Sequence, residues 1–157
     1  SGCTHRCPGC FNEEAWDFNY GQPFTSKEID YITDYLNNPH IAGLSILGGE
    51  PMEPANQKGI LPLLKKVKEL YPQKSIWLYS GYDFEHDILA EMRDKYPYTN
   101  EILSYLDVIV DGKFIEEQKN ISLRFKGSNN QRIILVKESL KENRIVLWDP
   151  LGNDYYK

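Results

Sequence analysis

The sequence predicts an α/β fold of parallel βα units that stops short of a full barrel. Three observations predict it. Apolar segments rich in β-branched residues or leucine alternate with amphipathic helical patterns from Leu44 to Val110. The last connection is too short for a parallel crossover, and three consecutive strands each end in a small polar cluster.

In chain order, Thr25 and Glu28 have the form of a capping box, and Ile29, Ile32 and Leu36 continue one helical face until Asn37, Asn38 and Pro39 end it. A buried strand is expected at 44–47. A second helix is expected behind an Asn56 cap, with Ile60, Leu63, Leu64, Val67, Leu70 and Tyr71 at helical spacing. Ser75–Tyr79 reads as the second strand. Asp83 can cap a third helix that turns Phe84, Ile88, Leu89 and Met92 inward, and 108–110 reads as the third strand. Further strands are expected at 133–136 and 145–148. The connection 137–143 is shorter than the roughly dozen residues of a crossover, so these two strands are expected to be antiparallel or poorly paired neighbours.

A length of 157 residues with 41% apolar content suffices for one core, and a single domain over 1–157 is expected. The formal charge of −5 argues against a phosphate-backbone partner, so nucleic acid is not expected. No apolar run approaches the roughly 18 residues of a membrane span, and the first residues lack the charged and apolar regions of a leader. A soluble, cytoplasmic protein with no membrane partner is expected. The chain begins at Ser1, directly before its cysteines, with no strand ahead of them to anchor the loop, so either the fold starts in an unusual way or residues are missing upstream.

Cys3, Cys7 and Cys10 are the only cysteines, an odd number in one short window, which argues for metal binding in a reduced compartment and against a disulfide framework. Their CxxxCxxC spacing lets a tight loop bring three thiolates to one small object, with Gly2 and Gly9 relieving the backbone and Pro8 stiffening it. Three ligands on a four-iron cluster leave one iron open to a chelating substrate, whereas an electron carrier usually closes every position with cysteine. A structural zinc site would want a fourth ligand such as His5, His40 or His86, and CxxxC is not the usual zinc spacing. His5 reads as a loop-packing or surface residue and is left out of the metal site.

Gly48, Gly49, Glu50 and Pro51 follow the first strand at its carboxyl end, where parallel α/β folds place their ligands. The glycines permit close backbone approach, although alone such a tetrapeptide would read as a turn. Ser80 and Gly81 follow the second strand, and Asp111, Gly112 and Lys113 follow the third; ordinary βα turn chemistry is the competing reading of both. Lys65, Lys66 and Lys68 read as a solvated helix face, and Trp16, Trp77 and Trp148 as core or rim residues.

The cysteine spacing and the GGEP turn resemble the radical S-adenosylmethionine (SAM) superfamily. The set GCTHRCPGCFN at 2–12, LGGEPM at 47–52, YSGY at 79–82, DVIVDGKF at 107–114 and RFKGSNNQR at 124–132 resembles, more narrowly, the activating enzymes of anaerobic ribonucleoside-triphosphate reductase. The resemblance implies a shortened, open radical SAM partial (β/α) barrel, here without the strand that normally precedes the cysteine loop. It implies a [4Fe-4S] cluster on Cys3, Cys7 and Cys10, with SAM as the second cofactor. It places the SAM amino group at Gly48, Gly49, Glu50 and Pro51, and the adenine along Gly9, Cys10 and Phe11. Many members carry an aromatic residue at the Gly9 position; here the aromatic follows the last cysteine as Phe11. Ser80 and Asp111 are candidates for the ribose or methionine carboxylate side, and Lys113 for that carboxylate.

The implied mechanism is one-electron cleavage of the SAM sulfonium, giving methionine and a 5′-deoxyadenosyl radical that takes a hydrogen from a glycine α-carbon of the reductase. The reductase is therefore the expected protein partner, and a flavodoxin the expected one-electron donor. Composition alone reads 127–132 as a polar turn entering a strand, and the resemblance places it near the open side where the partner docks. Three other functions compete: an activase of another glycyl radical enzyme, a small radical SAM synthase acting on a free metabolite, and a non-catalytic iron–sulfur or zinc module. The GGEP turn after a strand argues against the last of these.

Overall fold

The computed structural model describes residues 1–149, so the tail of the expected domain, 150–157, lies outside the described residues. Its centre is a four-stranded sheet in the order β1 (Gly43–Ile46), β2 (Ser75–Tyr79), β3 (Val108–Asp111), β4 (Arg132–Leu135). β1, β2 and β3 run parallel, with Ser45 opposite Trp77 and Trp77 opposite Val108, whereas β4 is antiparallel to β3. The open α/β sheet expected from the sequence is present. Among the described residues no strand precedes the cysteine loop.

Alternation sorts the two faces of the sheet. Ile76, Leu78, Ile109 and Ile134 point to one face and form the main core with Leu63, Leu64 and Val67 of α2 (Pro54–Leu70), Phe84, Ile88, Ile102 and Leu103. α1 (Ser26–Leu36) joins this layer through Ile29, Ile32 and Leu36, and its capping box forms as expected, with the Thr25 N–H donating to Glu28 Oε2 at 2.7 Å. Trp77, Val108 and Leu135 point to the other face, which carries only a small cluster completed by Trp148. Among the described residues, helices therefore cover one face, and Phe125 and Trp148 pack on Trp77 of the other.

Four details depart from the sequence expectations. Asn56 does not cap α2: Pro54 occupies the first helical turn, where a missing N–H costs nothing, and the Asn56 amide instead donates to the carbonyls of Gly2 and Glu50. Asp83 caps its helix by accepting from the N–H groups of Glu85 and His86, but Phe84–Met92 winds as a π-helix before passing into α3 (Arg93–Lys95). α4 (Thr99–Tyr105) was not anticipated, and it buries Thr99, Ile102 and Leu103. Val136 opens α5 (Val136–Glu142) rather than ending a strand, and 145–148 makes a single antiparallel bridge, Ile134 to Leu147, instead of a strand. Its pairing is limited to the bonds from Leu135 N–H to Val146 O and from Trp148 N–H to Ile133 O, which is the poorly paired neighbour that the short connection allowed.

No helix among the described residues is long and apolar enough to cross a membrane.

Asp107, just before β3, ties the end of the sheet opposite the polar clusters. Its carboxylate accepts from Lys68 of α2 at 2.6 Å, Lys137 of α5 at 2.6 Å and the Ile76 N–H of β2 at 2.8 Å. Burial, the strongest single influence, pushes this carboxyl up, but the three donors together hold it below the usual carboxylate range. Asp107→Asn is expected to cost about 2 kcal/mol by urea denaturation at neutral pH. Because the folded carboxyl ionises below its unfolded value, this contribution is complete above about pH 5 and disappears as the pH falls through the lower folded value. The wild-type and Asp107→Asn stabilities should therefore converge in strong acid.

Candidate functional site

The cysteine loop is held between a short 3₁₀ helix and the turn that follows β1. On one side, Gly2 N–H donates to Ala15 O at 2.8 Å and Cys3 N–H to Trp16 O at 3.2 Å, against the 3₁₀ helix Glu13–Trp16. On the other, Gly2 O accepts from Glu50 N–H at 2.7 Å and from Asn56 Nδ2 at 3.0 Å. Thr4 donates to the Glu53 carboxylate through its N–H at 3.0 Å and also through its hydroxyl. The loop is thus fixed by the first turn of α2 as well as by the GGEP turn.

The two glycines of that turn have different reasons to be glycine. A Cβ on Gly49 would lie 2.5 Å from Gly2 O, so Gly49 is required by backbone packed on backbone. Gly48 has φ +129 with nothing within 4 Å of a Cβ, so its requirement is conformational and its surroundings are open.

Glu50 is buried, and both carboxylate oxygens are engaged. Oε1 accepts from Met52 N–H and from Ser80 Oγ, each at 2.8 Å, and Oε2 accepts from Gly81 N–H at 2.6 Å and pairs with His5 Nε2 at 3.0 Å. One side chain therefore joins the end of β1, the end of β2 and the cysteine loop. Tyr82, beside it, has its hydroxyl pushed up to about 12, by burial first and then by the charge of Glu53, with Glu50 adding to the shift.

Cys3, Cys7, Gly9, Cys10, Phe11, Gly48, Gly49, Glu50 and Ser80 all line one cavity of about 440 Å³, at the carboxyl ends of β1 and β2. It is open, and its rim carries bare apolar side chains: Phe11 is 88% exposed and Ile121 93%. Pro51, Asp111 and Lys113 do not line it. Pro51 is buried in the turn, Lys113 is exposed, and Asp111 is buried with its carboxylate taken by Arg132 at 2.6 and 3.1 Å and by the Phe84 N–H at 2.9 Å.

The opposite wall comes from 112–131, of which sequence reasoning named only Gly112 and Lys113 at its start and the polar turn 127–132 at its end. Phe114, Lys119, Asn120, Ile121, Leu123 and Gln131 reach the cavity from it. Gln131 stitches the wall: its Oε1 accepts from Gly127 N–H at 2.9 Å and Ser128 N–H at 3.1 Å, while its Nε2 donates to Gly112 O at 3.0 Å. Asn130 Nδ2 donates to Lys113 O at 2.8 Å. Arg132 closes the base of the wall by pairing with Asp83, Glu85 and Asp111, which hold its guanidinium above its ordinary range. The run of amide side chains in SNNQR was the available signal: such residues bond nearby backbone where no strand or helix does so.

The residues suit a four-iron cluster by the chemistry of their donors. All three thiols face the same cavity. Burial pushes the Cys3 thiol up, the His5 and Arg6 backbone N–H groups partly offset this, and Glu50 and Cys7 add to the rise. Such a thiol needs a positive partner to exist as a thiolate, and iron supplies one. Asn12 N–H is directed at Cys10 Sγ at 3.5 Å. Among the described residues no three His, Cys, Asp or Glu side chains converge on a single ion position. A four-iron cluster asks for no such convergence, since each thiolate takes a different iron.

A family model described as a 4Fe-4S single cluster domain matches residues 1–134, and with the open sheet of three parallel strands and one antiparallel strand this defines the class: an iron–sulfur enzyme of the radical SAM type. An anaerobic ribonucleoside-triphosphate reductase-activating protein of Vibrio cholerae serotype O1 is 43% identical over 135 residues, covering 85% of this chain and 82% of the relative. Its counterparts in Escherichia coli K12 and in enterobacteria phage T4 are 39% and 38% identical, over 83% and 85% of this chain and 81% and 78% of their own lengths. The chain belongs to this family of activating proteins. No solved structure matches it.

Gly49→Ala would force backbone apart at Gly2, and overpacking of this kind costs about 1–3 kcal/mol. Alkylation of Cys3 in the metal-free protein should accelerate about tenfold or more. Gly48→Ala should cost about 1–2 kcal/mol of backbone strain yet leave that rate near the wild-type value. Equal alkylation rates in wild type and Gly49→Ala would show that the turn does not hold the loop.

Proposed function

We propose that this chain generates a glycyl radical on an anaerobic ribonucleoside-triphosphate reductase, using SAM and a [4Fe-4S] cluster held by Cys3, Cys7 and Cys10. One observation carries the reading: the three thiols share an open cavity with Gly48 and with the carboxyl ends of two parallel strands. The names of the relatives support the choice of partner. When bound, the cluster and SAM supply one-electron cleavage of a sulfonium and hydrogen abstraction from a glycine α-carbon.

The residues around the cavity do the positioning. Cys3, Cys7 and Cys10 fix the cluster on the loop side, and Gly48, with no side chain and free space before it, admits the amino end of SAM. Gly9, the Cys10 backbone and Phe11 offer an edge and a ring to the adenine. The negative charges of Glu50 and Glu53 behind the loop favour a ligand that carries a sulfonium and an ammonium. Glu50, Pro51 and Ser80 shape the turn from within, while Asp111 and Lys113 act from the end of β3 on the base of the far wall. The bare apolar rim and the open side suit a peptide segment of a protein partner better than a small metabolite, which binds where most of its surface is buried. With only three cysteines in the chain, the electron comes from outside, and a flavodoxin fits that role.

Anaerobic reconstitution should give a four-iron protein, and Cys7→Ala should fail to retain a complete cluster by iron, sulfide and EPR measurements. Reduced protein mixed with SAM and the reductase should produce a glycyl radical doublet that collapses when the target glycine is deuterated at its α-carbon. A full, stable cluster in Cys7→Ala would overturn the ligand assignment. Conversion of a small molecule, with no radical on the reductase, would overturn the choice of substrate.

A further inference from the structure

We infer that His5 is a positioning residue of the cysteine loop: its ring, held by Glu50, sets where Cys3 and Cys7 sit and how firmly the loop keeps its cluster. The inference rests on the proposed ligand set and extends it to a residue that the set does not use.

His5 lies between two of the three cysteines, yet its side chain is only 6% exposed. Its Nε2 meets Glu50 Oε2 at 3.0 Å, and its ring stands edge-on to Tyr82 with centroids 4.5 Å apart. A Cβ on Gly81 would overlap the ring, so the turn after β2 carries a glycine where the imidazole seats. Ring and socket are fitted on three sides.

The backbone next to it needs such a hold. Arg6 adopts φ 48, a left-handed conformation that costs a residue with a side chain about 1–2 kcal/mol. It persists only where the surroundings over-determine it. Thr4, bonded to Glu53, fixes the chain on one side of this residue, and His5, bonded to Glu50, is its immediate neighbour. The His5 and Arg6 backbone N–H groups act on the Cys3 thiol, lowering it against its burial. Amide donors at a ligand sulfur favour the more negative, reduced state of a cluster and so raise its potential. Losing the His5 anchor should therefore loosen the ligands and lower the potential together.

The test compares His5→Phe, which keeps a ring against Tyr82 but cannot bond Glu50, with His5→Gln, which can still donate to it. In reconstituted protein, iron loss to a chelator should be about 10- to 100-fold faster in His5→Phe than in wild type. Its reduction potential should also be more negative. His5→Gln should restore both toward wild type, and Gly81→Ala, which displaces the ring, should reproduce the His5→Phe behaviour. In the metal-free protein, amide exchange across 3–7 should quicken in His5→Phe while β2 and β3 exchange as before. Equal iron-loss rates and potentials in wild type and His5→Phe would overturn the inference, as would a His5→Gln protein no better than His5→Phe. Should the wild type take up no four-iron cluster, the ligand assignment fails on its own account. The exchange comparison then decides the matter for His5: faster exchange in His5→Phe upholds it and unchanged exchange overturns it.

Discussion

The buried carboxylate of Glu50 is the interaction on which the rest of the site depends. A charge removed from water is costly unless it is paired and hydrogen-bonded, and Glu50 meets that condition only by drawing on Met52, Ser80, Gly81 and His5 at once. Those partners belong to a turn, a strand end and the cysteine loop. Their mutual placement is therefore a single event: a separation that leaves Glu50 short of a donor exposes its charge to an apolar surrounding. A loop with little regular structure of its own gains a defined position in this way.

Sheet and helices outside the site follow a simpler logic, and they were the legible part of the sequence. Ser75–Tyr79 was readable to its ends because a short apolar cluster is followed at once by Ser80 and Gly81. The capping box at Thr25 was readable because both of its bonds are local. Asn56 was misread for the complementary reason: cap rules weigh neighbours, and its decisive partner is the carbonyl of Gly2, 54 positions away. The π-helix was hidden because Phe84, Ile88 and Met92 satisfy an α-helical pattern equally well.

The candidate site was legible in its chemistry and not in its mechanics. Three cysteines and two strand-end clusters, read from the sequence as parts of one site, line one cavity. What the pattern could not reveal is which polar groups are already spent. Asp111 resembles a ligand contact until Arg132 is seen to occupy it, and Glu50 does so until its four bonds are drawn. Gly49 reads as room for a ligand, whereas its space is taken by Gly2. Long-range pairing decides each case, and sequence spacing carries no record of it.

The wall at 112–131 has a further consequence. Its stitches run from the amide side chains of Gln131 and Asn130 to backbone groups of Gly112, Lys113, Gly127 and Ser128, and backbone groups are the same whatever residue bears them. Phe114, Leu123 and Ile121 can therefore be exchanged during descent without undoing the frame that carries them. The cysteine side has less of this freedom, because the side chains of His5, Glu50, Glu53 and Asn56 share its bonds with the backbone. The apolar lining of the pocket and the loop that carries the cysteines are therefore separable by mutation, and the first can be rebuilt while the second is left as it stands.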